Sequence, residues 1–246
     1  MHLISHFCSG FCIGSIFSSF IRKTPITSLF TFPVLIALGS IFPDLDGISV
    51  FFNHKVYYET FWYSHHGAFH SLLGIAPFSL LFSAIITFVR NRSTYASFYR
   101  SLFPIFGLIF FGNIIHILED LPCPLGPWHG LMIFWPLSSN RFGGWAHIWW
   151  LNEYLMVLLF SGMLSSLLLL GYMKAWPSTR PKLLKTTLII INLIVLFFSI
   201  RFVIVSRYMN PTQWQEYQRA LLGDSFYTFV KFWNVVIQHI WMQEIL

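Results

Sequence analysis

Residues 101–120 read SLFPIFGLIFFGNIIHILED, and the rest of the chain can be read outward from them. The stretch 101–118 holds no Asp, Glu, Lys or Arg and one imidazole, His116. An apolar run of about 20 residues is what a helix needs to cross a hydrocarbon core. The run stops on two acids, Glu119 and Asp120, and Leu121-Pro122-Cys123-Pro124-Leu125-Gly126-Pro127 then breaks the helix sharply. One segment therefore predicts a membrane-crossing helix and, at its end, a histidine and carboxylates within one helical turn of each other.

Five further stretches have the same character. Residues 4–21 carry only His6, while 24–43, 71–89 and 154–173 are free of charge. Residues 186–206 contain Arg201 near one end, where a long side chain can reach the interface. Composition agrees: of 246 residues, 56% are apolar or aromatic and only 10% are charged. A soluble domain carries about 25% charged residues, and a fold of this length cannot bury so much apolar surface. A soluble domain, a disordered chain and a disulfide scaffold are excluded. The predicted fold is all-α, a polytopic bundle of about six transmembrane spans forming one integral membrane domain over 1–246. The motifs lie in 1–137, and 138–246 is a hydrophobic second half. In the tail, Phe226, Phe229, Val230, Trp233, Val236, Ile237, Ile240 and Trp241 recur at helical spacing among polar residues. That predicts a C-terminal amphipathic helix.

Charge sets the expected orientation. No Lys or Arg precedes the first span, whereas Arg22 and Lys23 follow it. That order is wrong for a cleaved signal peptide. Nine of the 15 basic residues fall in three turns, and the segments 44–70 and 119–153 contain only Lys55 and Arg141. By the positive-inside rule the three basic turns face the cytoplasm and the other two segments face outward. The sequence pI of about 9.3 comes from cytoplasmic loops, so it implies contact with anionic lipid and no nucleic acid. Cys8 and Cys12 read as small hydrophobes of a packed helix face.

Five of the nine acids are Asp44, Asp46, Glu59, Glu119 and Asp120, and six of the ten histidines are His6, His54, His65, His66, His70 and His116. All fall at the expected outward ends of the first four spans or between those ends. Charged groups are costly in a membrane, so their gathering at one level is the main functional signal. Pro43-Asp44-Leu45-Asp46-Gly47 places two carboxylates at i, i+2, able to chelate one cation or bridge two. His65-His66-Gly67-Ala68-Phe69-His70 offers three imidazoles, the usual ligands of zinc and related ions. His66 and His70 would share a face if the helix starts early; His65 and His70 would converge if the turn at Gly67 is irregular. His116 and Asp120 are one turn apart on a helix face, a chelate or an oriented pair.

The order of these motifs resembles the YdjM-like family of bacterial inner-membrane proteins, described as membrane-bound metal-dependent hydrolases. The resemblance rests on His6, Pro43–Asp46, His65–Ser71, His116–Asp120 and Trp135-Pro136, over about residues 1–137. It implies metal ligation by His6, Asp44, Asp46, His65, His70, His116 and Asp120. His66 stands where the family usually has Arg, which removes a fixed cation that could hold an anionic substrate. The connection from Asp120 to Trp135 is longer than usual for the family. The ligand order is also loosely similar to that of zinc-dependent phospholipases C.

Seven His/Asp candidates exceed the three or four ligands of one zinc site. They fit one or two divalent ions, zinc first, with Mn or Mg as alternatives. The expected function is a metal-dependent hydrolase of a phosphoester or lipid-linked substrate at the outer face of the bacterial cytoplasmic membrane, with membrane lipids as its partners. Glu119, Asp120 and His66 are the candidates for the catalytic proton transfers. The alternatives are a metal or proton transporter, or a non-catalytic membrane scaffold with a structural metal.

Overall fold

The computed structural model describes residues 3–20, 30–48, 65–90, 95–123, 129–146, 153–176, 181–209 and 211–232. Their regular structure is α1 (Leu3–Phe20), α2 (Thr31–Gly39), α3 (Ile75–Arg90), α4 (Tyr95–Asp120), α5 (Glu153–Ala175), α6 (Pro181–Ser206) and α7 (Pro211–Leu222). Short 3-10 turns cover Pro43–Ile48 and Ala68–His70, and 224–232 is also helical. No strand forms among the described residues; one isolated antiparallel bridge joins Leu131 and Phe142. Among the described residues, four segments are long and apolar enough to cross a membrane: α1, Phe98–Asp120 of α4, α5, and Lys182–Ser206 of α6. The helical bundle expected from composition is present.

Two of the six expected spans are shorter helices. Over 24–43 the described helix is α2, nine residues, which rise about 14 Å against a hydrocarbon core of about 30 Å; residues 21–29 lie outside the described part. The helix stops at Gly39 because the chain tightens. Ile41 N–H bonds Leu38 O, Phe42 N–H bonds Gly39 O, and Leu45 N–H bonds Phe42 O. These i→i+3 bonds satisfy carbonyls that Pro43, with no N–H, cannot. α3 starts at Ile75 and not at Ser71. The Ser71 hydroxyl donates to Ala68 O and accepts from Gly74 N–H, so the chain turns there before the helix begins.

α1 is the central helix, packed against α2, α4, α5 and α6. Apart from His6 and Phe11, its buried residues are small, Ser5, Ser9, Gly10, Cys12, Gly14 and Ser15 among them. Such residues let helix backbones approach closely in lipid, where apolar burial alone gives no drive to associate. A Cβ on Gly14 would lie 2.6 Å from Pro33 Cα, and one on Gly39 would overlap the Ile109 carbonyl. Cys8 and Cys12 pack with Leu159 and Val195, as expected of small hydrophobes. α5 and α6 are pinned by a buried polar pair, with Asn192 Nδ2 donating to Ser166 Oγ at 2.8 Å. In the tail, 224–232 matches the start of the expected amphipathic helix, and 233–241 falls outside the described residues. α7 was not expected; Pro211 at its first position and Gly223, with φ 78°, delimit it.

Candidate metal centre

Four elements bring their polar residues to one end of the bundle. α1 delivers His6 from its second turn, and α4 delivers His116, Glu119 and Asp120 from its last. The 3-10 turn after α2 carries Asp44 and Asp46. The turn before α3 carries His65, His66 and His70. His6, His70 and His116 have no solvent exposure; Asp46, His65, His66 and Asp120 are also buried.

The backbone around the imidazoles is irregular, as convergence requires. His66 has φ 63°, in the left-handed region, and its carbonyl accepts from Met132 N–H at 3.1 Å. Such a conformation costs a non-glycine residue about 1–3 kcal/mol and persists where the surroundings hold it. Segment 129–146 thereby seats itself on the histidine turn.

Each of four imidazoles is anchored through Nδ1. His116 Nδ1 donates to Ser40 O at 2.7 Å, and His6 Nδ1 to Glu119 Oε2 at 2.6 Å. Asp46 takes two: His65 Nδ1 on Oδ1 at 2.5 Å and His70 Nδ1 on Oδ2 at 3.2 Å. A carbonyl can only accept, so Nδ1 of His116 carries the proton, and the carboxylates favour the same tautomer in the others. This is how metal-binding histidines are oriented: one ring nitrogen held by an oxygen, the other left for the ion.

The Nε2 atoms converge on two carboxylates. His116 Nε2 lies 3.0 Å from Asp120 Oδ2, 3.5 Å from Asp44 Oδ1 and 3.1 Å from His70 Nε2. His70 Nε2 is 3.7 Å from Asp44 Oδ1 and 3.8 Å from Asp120 Oδ2. His66 Nε2 lies 3.8 Å from Asp120 Oδ2, His65 Nε2 4.0 Å from Asp44 Oδ1, and His6 Nε2 3.2 Å from Asp120 Oδ1. Asp44, His70, His116 and Asp120 each offer one donor atom, all within 4.8 Å of one another. The His–Asp and His–His donor separations within this group run from 3.0 to 3.8 Å. Ligands at about 2.0–2.1 Å in a tetrahedron would stand about 3.3–3.4 Å apart. The donor set, two imidazoles and two carboxylates, is therefore one that could hold a divalent ion.

Electrostatics agree. Burial alone would raise the Asp44 and Asp46 carboxyls; the histidines facing them override it and hold both below the usual carboxylate range. Burial alone would lower His70, yet Asp46 and Asp44 push it up to about 10. The carboxylates demand a positive charge at His70, and a bound cation meets the same demand that a proton does. His66 behaves in the opposite way: burial, with His65 and His70 beside it, holds it well below the ordinary histidine range.

A family model described as YdjM inner membrane protein matches residues 1–207. The chain belongs to that family. The match runs well past the region, about 1–137, over which the motifs suggested it. No curated protein and no solved structure matches the chain.

In this member of the YdjM family, every histidine and aspartate singled out from the sequence as a ligand reaches the cluster. They do not all stand alike. Asp44, His70, His116 and Asp120 face one another, and His65, His66 and His70 form a second close group. Asp46 has both oxygens on imidazole N–H groups. Glu119, expected as a proton carrier, holds His6. His65 and His70 converge on Asp46 through the irregular turn at Gly67, while an early helix pairing His66 with His70 does not form. His54 and Glu59 lie outside the described residues, as do Trp128 and His147. His129 is exposed. Ser40 was missed: its hydroxyl donates to His6 O at 2.7 Å and its carbonyl orients His116. Nothing in its sequence surroundings marks it, because both contacts are made across helices.

Proposed function

We propose that the chain is a metal-dependent hydrolase of a phosphoester carried by a membrane lipid, with its centre at the outer face of the cytoplasmic membrane. The observation that carries this reading is the convergence of Asp44, His70, His116 and Asp120 on one point within further imidazoles. A divalent ion bound there lowers the pKa of water and stabilises negative charge on a phosphoryl oxygen. Asp44, His70, His116 and Asp120 would hold it. Asp46 and Ser40 O keep the Nε2 atoms aimed inward. His66, kept neutral by burial, offers its Nε2 as the base for the attacking water.

Mixed nitrogen and oxygen donors suit hydrolytic zinc or manganese better than a closed structural site, which thiolates usually build. A carrier reading is weaker because no Asp or Glu lies inside α1, α4, α5 or α6 away from their ends. The lipid substrate is supported by level. Leu118 sits between His116 and Asp120 and is 59% exposed, and Leu73, three residues after His70, is 52% exposed. Apolar surface at the height of the cluster favours a substrate arriving from within the bilayer. The outward orientation is supported by the basic turns, which lie at the other ends of the spans.

The test is hydrolysis of a panel of phosphoester lipids by detergent-purified protein, stripped with chelator and reloaded with zinc or manganese. Cleavage of one lipid class, lost on stripping and restored by metal, is the expected result. Metal-loaded, folded protein that cleaves nothing on a broad panel overturns the hydrolase reading.

A further inference from the structure

Glu119 fixes the proton of His6 on Nδ1, and His6 stands outside the four-donor group. Its Nε2 is fully buried, and no hydrogen bond satisfies it. Asp120 Oδ1 is 3.2 Å away, which is ion-pair distance. The contact is close, but it is not a hydrogen bond. Two donor atoms 3.2 Å apart are close enough to share one cation about 2.0–2.1 Å from each.

Asp120 faces two ways. Its Oδ2 lies against His116 Nε2 at 3.0 Å, and its Oδ1 against His6 Nε2. The rings of His6 and His116 are stacked, with centroids 3.8 Å apart and planes 28° from parallel. Two near-parallel imidazoles therefore present their Nε2 atoms to the two oxygens of one carboxylate. Cations bound by the two would be separated by about the ring spacing. Two-metal hydrolytic sites hold their ions about 3.5–4 Å apart.

We infer that the centre holds a second divalent cation, ligated by His6 Nε2 and Asp120 Oδ1 and bridged by the Asp120 carboxylate to the ion of the four-donor group. The inference rests on the proposed metal reading of that group. With two protein donors against four, the second ion binds more weakly. Its remaining positions are open to water and to the oxygens of a phosphoester, as is usual for magnesium or manganese sites. A pair of ions held there would supply charge stabilisation to the attacking and the leaving oxygen of one displacement.

The experiment is metal stoichiometry and electron paramagnetic resonance on the full chain in detergent, stripped and titrated with Mn(II). Two ions per chain are expected, the second released first on dialysis. The doubly loaded protein should show an exchange-coupled spectrum. His6→Ala should bind one ion with an uncoupled spectrum. Saturation at one ion in folded wild-type protein overturns the second site and leaves the first standing. No bound ion at all overturns both. Two ions without coupling, or a His6→Ala protein that still binds a coupled pair, also overturns the assignment. If His6→Ala fails to fold, the wild-type count and spectrum decide alone.

Discussion

At the scale of single residues, the two aspartates of Pro43-Asp44-Leu45-Asp46-Gly47 divide the work. A 3-10 turn has three residues per turn, so side chains at i and i+2 point about 120° apart. Asp44 thus faces His70 and His116, while Asp46 takes Nδ1–H groups from the rim. Asp46→Asn replaces one acceptor oxygen with an N–H₂ donor, so His65 or His70 loses its anchor and its preferred tautomer. No donor to the ion is removed, yet metal affinity is expected to fall about 10–100-fold, with the helical circular dichroism unchanged. Isothermal titration with zinc measures it, and unchanged affinity would remove Asp46 from the site. The sequence shows that both carboxylates belong to the cluster. It does not separate their roles, because an extended segment would point i and i+2 the same way, and the local backbone is decided by packing against other elements. The left-handed His66 is hidden for the same reason: Met132, which holds its carbonyl, is 66 residues away.

At the scale of elements, close helix approach sets the position of the site. α2 crosses α4 with Gly39 against Ile109; one residue later, Ser40 O accepts from His116 Nδ1 at 2.7 Å. Gly39→Ala places a Cβ on the Ile109 carbonyl and pushes α2 away. Overpacking of this kind costs about 1–3 kcal/mol, and here it also stretches the bond that aims His116. A lower thermal midpoint and reduced metal content are both expected, although Gly39 has no side chain to offer a ligand. Gly171→Ala is the control, since a Cβ there meets nothing within 4 Å. Equal behaviour of the two variants would show that the α2–α4 approach does not position the site. Apolar runs made the helices legible, α4, α5 and α6 above all. Their ends were less so: hydropathy marks which residues tolerate lipid, whereas α2 ends at tight turns and α3 begins after the Ser71 turn. α7 gave no signal because its sequence, PTQWQEYQRALL, is mostly polar.

At the scale of the whole molecule, the polar centre and the packing that holds the bundle are separable. The cluster occupies the end of the bundle where α1 begins and α4 stops. Away from it, Phe11, Ala37, Leu170 and Leu188 pack together, Gly14 meets Pro33, and Ser166 pairs with Asn192. These contacts, and the hydrogen bonds inside each helix, do not involve a metal. His70 and Asp120 come from different elements, so neither can stand in for the other as a donor. Replacing either by Ala is expected to lower metal affinity at least 10–100-fold, the size of the loss when only an orienting group is removed. The helical bundle should survive, with a thermal midpoint near that of metal-stripped wild type. A structural metal requires the opposite, because its binding free energy would be folding free energy. Metal content, circular dichroism melts and lipid hydrolysis on purified His70→Ala and Asp120→Ala separate the readings. Folded, metal-poor, inactive variants support a reaction centre. Variants that unfold as they lose metal make the ion a structural staple, and variants that stay loaded take both residues out of its coordination.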